Sequence, residues 1–220
     1  MENIKSTSHT AVKNTDSVRK DRFYQLLKRM TDVGISLVLL LTLMPLLLFI
    51  SYRIYKKEGK PIFYKEVRVG KNGREFIMFS FRIMTNPSKV IWAFPPHPFP
   101  DSWMDGVPDE FTFQRDVHCT ITPTGKWLKK YHLHKLPRLW NVLKGDMSLV
   151  GPKPEKKEIV DYYNDWQKNR LKVKPGITGY ARAVRGDNMN YTERVNYDLY
   201  YIHNRSVKMD MKILWNTIKK

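Results

Sequence analysis

The chain has 220 residues, with 39 Lys or Arg against 21 Asp or Glu and a formal net charge of +18. That length carries one domain with a true core plus an anchoring segment, not two full domains, and that charge calls for an anionic partner such as nucleic acid, an acidic membrane face or a pyrophosphate-bearing substrate. A single cysteine, Cys119, excludes an intramolecular disulfide and suits a reducing compartment.

Residues 1–26 are mostly polar and open with no apolar period, which predicts a disordered tail. Residues 34–52 then contain no charge and are dominated by Leu. A straight membrane span needs about 20 apolar residues, so length alone allows a crossing. Pro45 stands in the middle of the run, where it removes a backbone donor and clashes with the carbonyl of Leu41, so a kink is expected. Both flanks are basic: Arg22, Lys28 and Arg29 before, Arg53, Lys56, Lys57, Lys60 and Lys65 after. Positive residues mark the cytoplasmic side. A segment over 27–58 that enters, bends at Pro45 and returns satisfies both flanks; a kinked crossing helix is the alternative, since membrane helices tolerate proline.

Residues 59–220 form the remaining domain. Residues 61–70 read as a strand, Lys71-Asn72-Gly73 as a turn, and 75–84 as the return strand of a hairpin. Residues 85–118 are an insertion rich in proline and aromatics, with Trp92, Phe94, Phe99 and Trp103 among them. Such a segment either lies on the membrane interface or over a groove, or packs as a loop on its own domain. Helices are predicted over 122–131, 135–143, 156–169, 191–198 and 209–218, and a turn over 174–181. No repeat and no familiar metal-ligand spacing is present.

The run Leu136-Pro137-Arg138-Leu139-Trp140-Asn141-Val142-Leu143-Lys144-Gly145-Asp146-Met147-Ser148-Leu149-Val150-Gly151-Pro152-Lys153-Pro154 resembles the signature of the bacterial sugar transferases, the monotopic polyprenol-phosphate phosphoglycosyl transferases that begin many surface polysaccharides. Phe63 to Gly73 followed by Phe81-Arg82-Ile83-Met84 is similar to a second family pattern, with Ser80 where a basic residue is usual. Lys174 to Ala181 is similar to a third, and Lys28-Arg29-Met30-Thr31-Asp32 to the entry of the family's re-entrant membrane helix. Met44-Pro45 stands where that helix usually bends at Ser-Pro, which keeps the proline and loses the serine hydroxyl.

The resemblance implies transfer of a sugar phosphate from a nucleotide diphosphate sugar to a polyprenol phosphate. A dyad Asp attacks the β-phosphorus, basic residues hold the phosphates, and Mg²⁺ neutralises charge beside the Asp. In this chain the Asp-Glu dyad positions are His134 and Lys135. Lys129 and Lys153 stand where the family has arginines, and with Arg82 they are the candidate phosphate-binding residues; lysine holds a phosphate as a point charge without the bidentate fork. Three outcomes remain open for the dyad. His134 attacks phosphorus itself, with Mg²⁺ dispensable or held by Asp146; or the chain keeps the binding site and acts as a scaffold in polysaccharide assembly; or the histidine is structural.

The expected fold is therefore mixed α/β and helix-rich, a re-entrant membrane helix joined to a small domain with a β-hairpin and amphipathic interfacial helices. The expected partners are a nucleotide diphosphate sugar, a polyprenol phosphate, the cytoplasmic face of the cell membrane and other polysaccharide-assembly enzymes. Nucleic acid is not expected, since the chain carries a long Leu-rich run and no recognised binding motif.

Overall fold

The computed structural model describes residues 3–85, 103, 105–108, 120–186 and 189–219, with side chains from residue 22 onward and that of residue 218 set aside. Two helices open the chain, α1 (Asn3–Thr42) and α2 (Met44–Glu58). The backbone is helical from Asn3, so α1 includes residues 3–26 of the expected tail, and residues 1–2 lie outside the described residues. Once a helix is nucleated, each added residue gains a hydrogen bond for one pair of dihedrals, so polar residues propagate it.

No single helix among the described residues is long and apolar enough to cross a membrane. The pair of arms 22–42 and 44–58 passes the length and composition test together, bent by 61°. The break falls at Leu43, and Pro45 sits in the first turn of α2, where its missing N–H costs nothing. Met44 and Pro45 therefore start the second arm. On the first arm, the Thr42 hydroxyl donates to the carbonyl of Val38 at 2.8 Å, a contact that favours bending. Leu37, Val38 and Leu41 on one arm and Met44, Leu48, Phe49 and Tyr52 on the other are exposed.

The domain begins with a hairpin, β1 (Phe63–Val69) and β2 (Glu75–Phe81), paired antiparallel from Phe63↔Phe81 to Val69↔Glu75. Its turn carries Asn72 and Gly73 at positive φ, the residue types that reach that region most readily. Both strands are shorter than the sequence predicts. A helix α3 (Pro123–Lys130) follows, capped by Thr122, whose hydroxyl accepts from the Gly125 N–H at 2.9 Å. Next come a 3₁₀ turn (Leu133–Lys135) and α4 (Arg138–Lys144), so the helix predicted over 135–143 begins later and is preceded by a tighter turn. Gly145 ends α4 at φ 92, its N–H donating to the carbonyls of Asn141 and Val142.

The signature run then enters a strand that periodicity does not reveal, β3 (Ser148–Val150), which pairs in parallel with β4 (Gly176–Thr178). The predicted turn over 174–181 is thus a strand followed by α7 (Tyr180–Arg185). Gly151 and Gly176 are required here: a Cβ on Gly176 would land on the backbone of Gly151. Between β3 and β4 lie α5 (Lys157–Val160) and α6 (Asp165–Lys168) in place of the single helix predicted over 156–169. Asn164 interrupts the period, because it restarts the helix as a capping box with Gln167. Helices α8 (Tyr191–Asn204) and α9 (Val207–Lys219) close the chain.

Three apolar clusters hold these elements. Met78, Leu139, Val142, Met147, Leu149, Tyr201 and Ile213 join β2, α4, β3, α8 and α9. Ile50 and Ile54 of α2 pack on Phe81 and Leu128. Trp103 and Val107 pack with Ile159, Tyr163, Tyr191 and Val195, so the described part of the 85–118 insertion lies on its own domain; the rest of that insertion falls outside the described residues.

The Asn141 side chain is fully buried and works as an extra rung on β2. Its Oδ1 accepts from the Phe79 N–H at 3.0 Å and its Nδ2 donates to the Ile77 carbonyl at 2.7 Å. Asn141→Ala would strand both strand groups inside the protein, at roughly 1–3 kcal/mol for each. Urea unfolding should therefore show a loss of more than about 2 kcal/mol with little change in slope.

Candidate active site

The residues assigned to the dyad and two of the three assigned to phosphate binding converge. A cavity of about 270 Å³ is lined by Lys129, His134, Lys135 and Lys153, together with His132, Arg138, Arg182, Arg194 and Asp198. Its walls come from the end of α3, the 3₁₀ turn, the start of α4, the segment after β3, the glycine-flanked strand β4, and α7 and α8. Between α3 and the 3₁₀ turn, His132 adopts φ 57, a left-handed conformation that histidine enters more readily than most side chains. The Arg182 guanidinium meets its ring at 3.1 Å.

His134 is anchored through Nδ1, which lies 3.3 Å from the Leu128 carbonyl. A carbonyl can only accept, so Nδ1 carries the hydrogen and Nε2 the lone pair. Burial pushes the imidazole down to about 4, the bond to Leu128 opposes this, and Arg138, His132 and Arg182 add to it. At neutral pH the ring is an uncharged base among cations.

Two other expected residues stand elsewhere. Arg82 does not line the cavity: its guanidinium donates to the Glu58 carbonyl and pairs with the Glu58 carboxylate at 3.7 Å, clamping β2 to the end of α2. Asp146 is also off the lining, in the turn after α4, with Lys144 at 3.4 Å. Conversely, sequence reasoning missed Arg138, Arg182 and Arg194 as lining residues. Arg138 lies inside the signature run and Arg182 directly after the third motif, so adjacency to those motifs was the available signal.

Among the described residues the one carboxylate on the lining is Asp198, which is already committed. Arg170 holds it through Nε at 2.9 Å and Nη2 at 2.7 Å. The same guanidinium reaches Glu155 at 3.4 Å and the Tyr163 hydroxyl at 2.6 Å. Burial works against charge on Arg170, but Tyr163, Asp198, Tyr191 and Glu155 outweigh it and push its affinity for the proton up. Burial likewise opposes the Glu155 anion, yet Lys153 and Arg170 hold that carboxyl below its ordinary range. Lys153 is pushed down by burial, with Glu155 pulling back.

The donor set does not fit Mg²⁺. That ion needs one or two free carboxylates and waters in near-octahedral geometry, whereas the lining is cationic and its carboxylate is salt-bridged. Among the described residues no group of three His, Cys, Asp or Glu side chains is placed to hold a metal. What the arrangement suits is a polyanion, with several cations around the neutral imidazole of His134.

Comparison with known proteins identifies the family. The family described as bacterial sugar transferase matches residues 23–220. The chain belongs to the bacterial sugar transferase family. It is 34% identical over 195 residues to the uncharacterized sugar transferase EpsL of Bacillus subtilis, covering 89% of this chain and 87% of that one. It is 33% identical over 208 residues to the undecaprenyl-phosphate galactose phosphotransferase of Salmonella typhimurium, covering 94% of this chain but 42% of that one. A 31% identity to the exopolysaccharide production protein ExoY of Sinorhizobium fredii covers 87% of this chain and 83% of that one. The chain thus spans less than half the length of some curated relatives and most of the length of others.

The depressed proton affinity of His134 has a consequence for stability. The unfolded chain takes up a proton near pH 6.5 and the folded chain only near 4, so acid favours unfolding. The His134 contribution is neutral above pH 6.5 and becomes increasingly destabilising as pH falls toward about 4. Comparing unfolding midpoints of the native chain and His134→Gln across that interval should show the native chain losing ground faster on acidification.

Proposed function

We propose that this protein transfers a sugar phosphate from a nucleotide diphosphate sugar to a polyprenol phosphate at the cytoplasmic face of a membrane, initiating polysaccharide synthesis. The observation that carries this reading is a cavity lined by Lys129, Lys135, Lys153, Arg138, Arg182 and Arg194 together with the neutral imidazole of His134, which by resemblance stands at the nucleophile position. Lys129 and Lys153 hold the diphosphate, with Arg138, Arg182 and Arg194 adding positive potential. The lone pair of His134 Nε2 attacks the β-phosphorus. A P–N bond forms, the bridging P–O bond breaks, and the nucleoside monophosphate leaves with the electron pair. An oxygen of the polyprenol phosphate then attacks the same phosphorus, the P–N bond breaks, and the imidazole returns to its starting state. Lys135, in the place of a glutamate, stabilises negative charge on the transferring group and takes no proton. No step is routed through a metal.

A second reading has its own observation: among the described residues the carboxylate on the lining, Asp198, is held by Arg170, which leaves none of them free for the family's dyad chemistry. In that case the chain binds nucleotide sugar or lipid phosphate and serves as a scaffold for other assembly enzymes.

The membrane arrangement belongs to the same proposal: α1 and α2 enter and leave through one face. Both outer ends dock on the same domain, which supports this. On α1, Arg29 donates to the carbonyls of Val142 and Leu143 at 2.6 and 2.8 Å, and Asp32 accepts from the Leu149 N–H at 3.0 Å. On α2, Ile50 and Ile54 are buried against Phe81 and Leu128. A crossing would separate the ends by about 30 Å of hydrocarbon. Cysteines introduced near positions 25 and 56 should both resist labelling from outside the cell; labelling of one alone would demonstrate a crossing.

Incubation with the correct nucleotide sugar should leave an acid-labile, alkali-stable phosphosugar on His134, absent in His134→Ala. Replacing His134 with Asp and Lys135 with Glu should maintain or raise transfer. Absence of adduct and turnover in the native chain, with turnover in the double variant, selects the scaffold reading. Lys129→Gln or Lys153→Gln should each weaken nucleotide-sugar binding by about 1.5–3 kcal/mol, the range for a charged hydrogen bond.

A further inference from the structure

A second cavity, of about 150 Å³, lies where α1 meets the domain. It is lined by residues of α1, the hairpin turn, β3, the segment before β4, and the end of α8. Its volume is well above the roughly 10–15 Å³ that admits a single water. None of the dyad or phosphate-binding candidates lines it.

Its charge is not balanced internally. Arg29 is spent on two carbonyl oxygens, and Arg205 lies over the Tyr24 ring. Lys71 and Lys174 also line the cavity, and neither ammonium makes a hydrogen bond or ion pair among the described residues. Lys174 Nζ and Arg29 Nη2 both come within 3.5 Å of the point where a Cβ on Gly145 would stand, so two cations crowd one spot. Against them the lining sets the carboxylate of Asp32, one oxygen of which is bound to the Leu149 N–H.

Two further observations point to a ligand. Ser148 lines the cavity, is 1% exposed, and its hydroxyl has no hydrogen-bond partner. A buried hydroxyl left unpaired is costly, and an acceptor oxygen in the cavity would satisfy it. Burial, then Arg29, lowers the proton affinity of Lys174, a penalty that a bound anion relieves.

We propose that this cavity binds a tetrahedral phosphate group, held by Lys71 and Lys174 with the Ser148 hydroxyl donating to one of its oxygens. The ligand is inorganic phosphate or the exposed phosphomonoester of a lipid headgroup. Bound there, it bridges α1, the hairpin turn and the segment leading into β4, so occupancy tightens the membrane arms onto the domain that carries His134. The site is separate from the transfer reaction and stands whether or not the chain turns over.

Competitive acylation of lysines, read by mass spectrometry on the full chain, tests this. One arm adds inorganic phosphate to protein in neutral detergent. The other compares nanodiscs of phosphatidylcholine with and without phosphatidic acid. Lys174 and Lys71 should be labelled at least about threefold more slowly when the site is filled; Lys129 reports the His134 cavity separately. Protection by phosphate in detergent identifies the free ion, and protection by phosphatidic acid alone identifies the lipid headgroup. Ser148→Ala and Lys71→Gln should each raise the half-protecting concentration for Lys174 by about tenfold, the scale expected for losing one charged contact, whereas Lys71→Arg should retain protection. Unchanged labelling of Lys174 in both arms overturns the proposal, as does protection undiminished in Ser148→Ala and Lys71→Gln.

Discussion

Burying a guanidinium is costly unless its charge is matched and its donors are filled, and Arg170, 3% exposed, meets both conditions. It takes Asp198 from α8, Glu155 from beyond β3 and the Tyr163 hydroxyl in a single hub. Tyr191 adds a second phenol, 3.2 Å from the guanidinium and 2.7 Å from the Tyr163 oxygen. Lys153, Glu155 and Asp198 are thereby fixed relative to one another, and with them one side of the cavity that contains His134. Because the hub consumes the nearby carboxylates, the space beside it is left positive. The cation-rich lining and the poor fit to a divalent metal are two expressions of one ion pairing.

The signature run serves architecture more than chemistry. Asn141 braces β2, Gly145 turns the chain, Leu149 and Val150 join the core, and Gly151 admits the β4 backbone. Lys28, Arg29 and Asp32 of α1 behave in the same way, joining that helix to Asp210, α4 and β3. The residues of these two runs mostly hold the frame together.

What could be read beforehand followed local rules. The Asn72-Gly73 turn fixed the hairpin, Pro45 the neighbourhood of the bend, and the match of 136–154 to a known pattern placed Lys129, His134, Lys135 and Lys153 near one another. Contacts across long separations could not be read. Nothing local distinguishes Arg82, which is bound to Glu58, from a phosphate ligand, or shows that Asp146 faces Lys144 rather than the cavity. Strands of three residues such as β3 and β4 give no period, and their pairing depends on glycines that a local reading takes for a turn. Asn164 was legible by a local rule, since Asn164-Asp165-Trp166-Gln167 has capping-box spacing, but the apolar period over 156–169 runs across it.

A two-stranded sheet has two outer edges, each a row of backbone donors and acceptors open to any extended chain. In this protein both rows are interrupted from within. Along β2, the Asn141 amide supplies one donor and one acceptor in the geometry of a peptide group. Along β1, the Val69 N–H donates to the Glu155 carbonyl at 2.9 Å. With each edge interrupted by the protein's own side chain or loop, the hairpin is a poor template for an extended strand from a neighbouring copy.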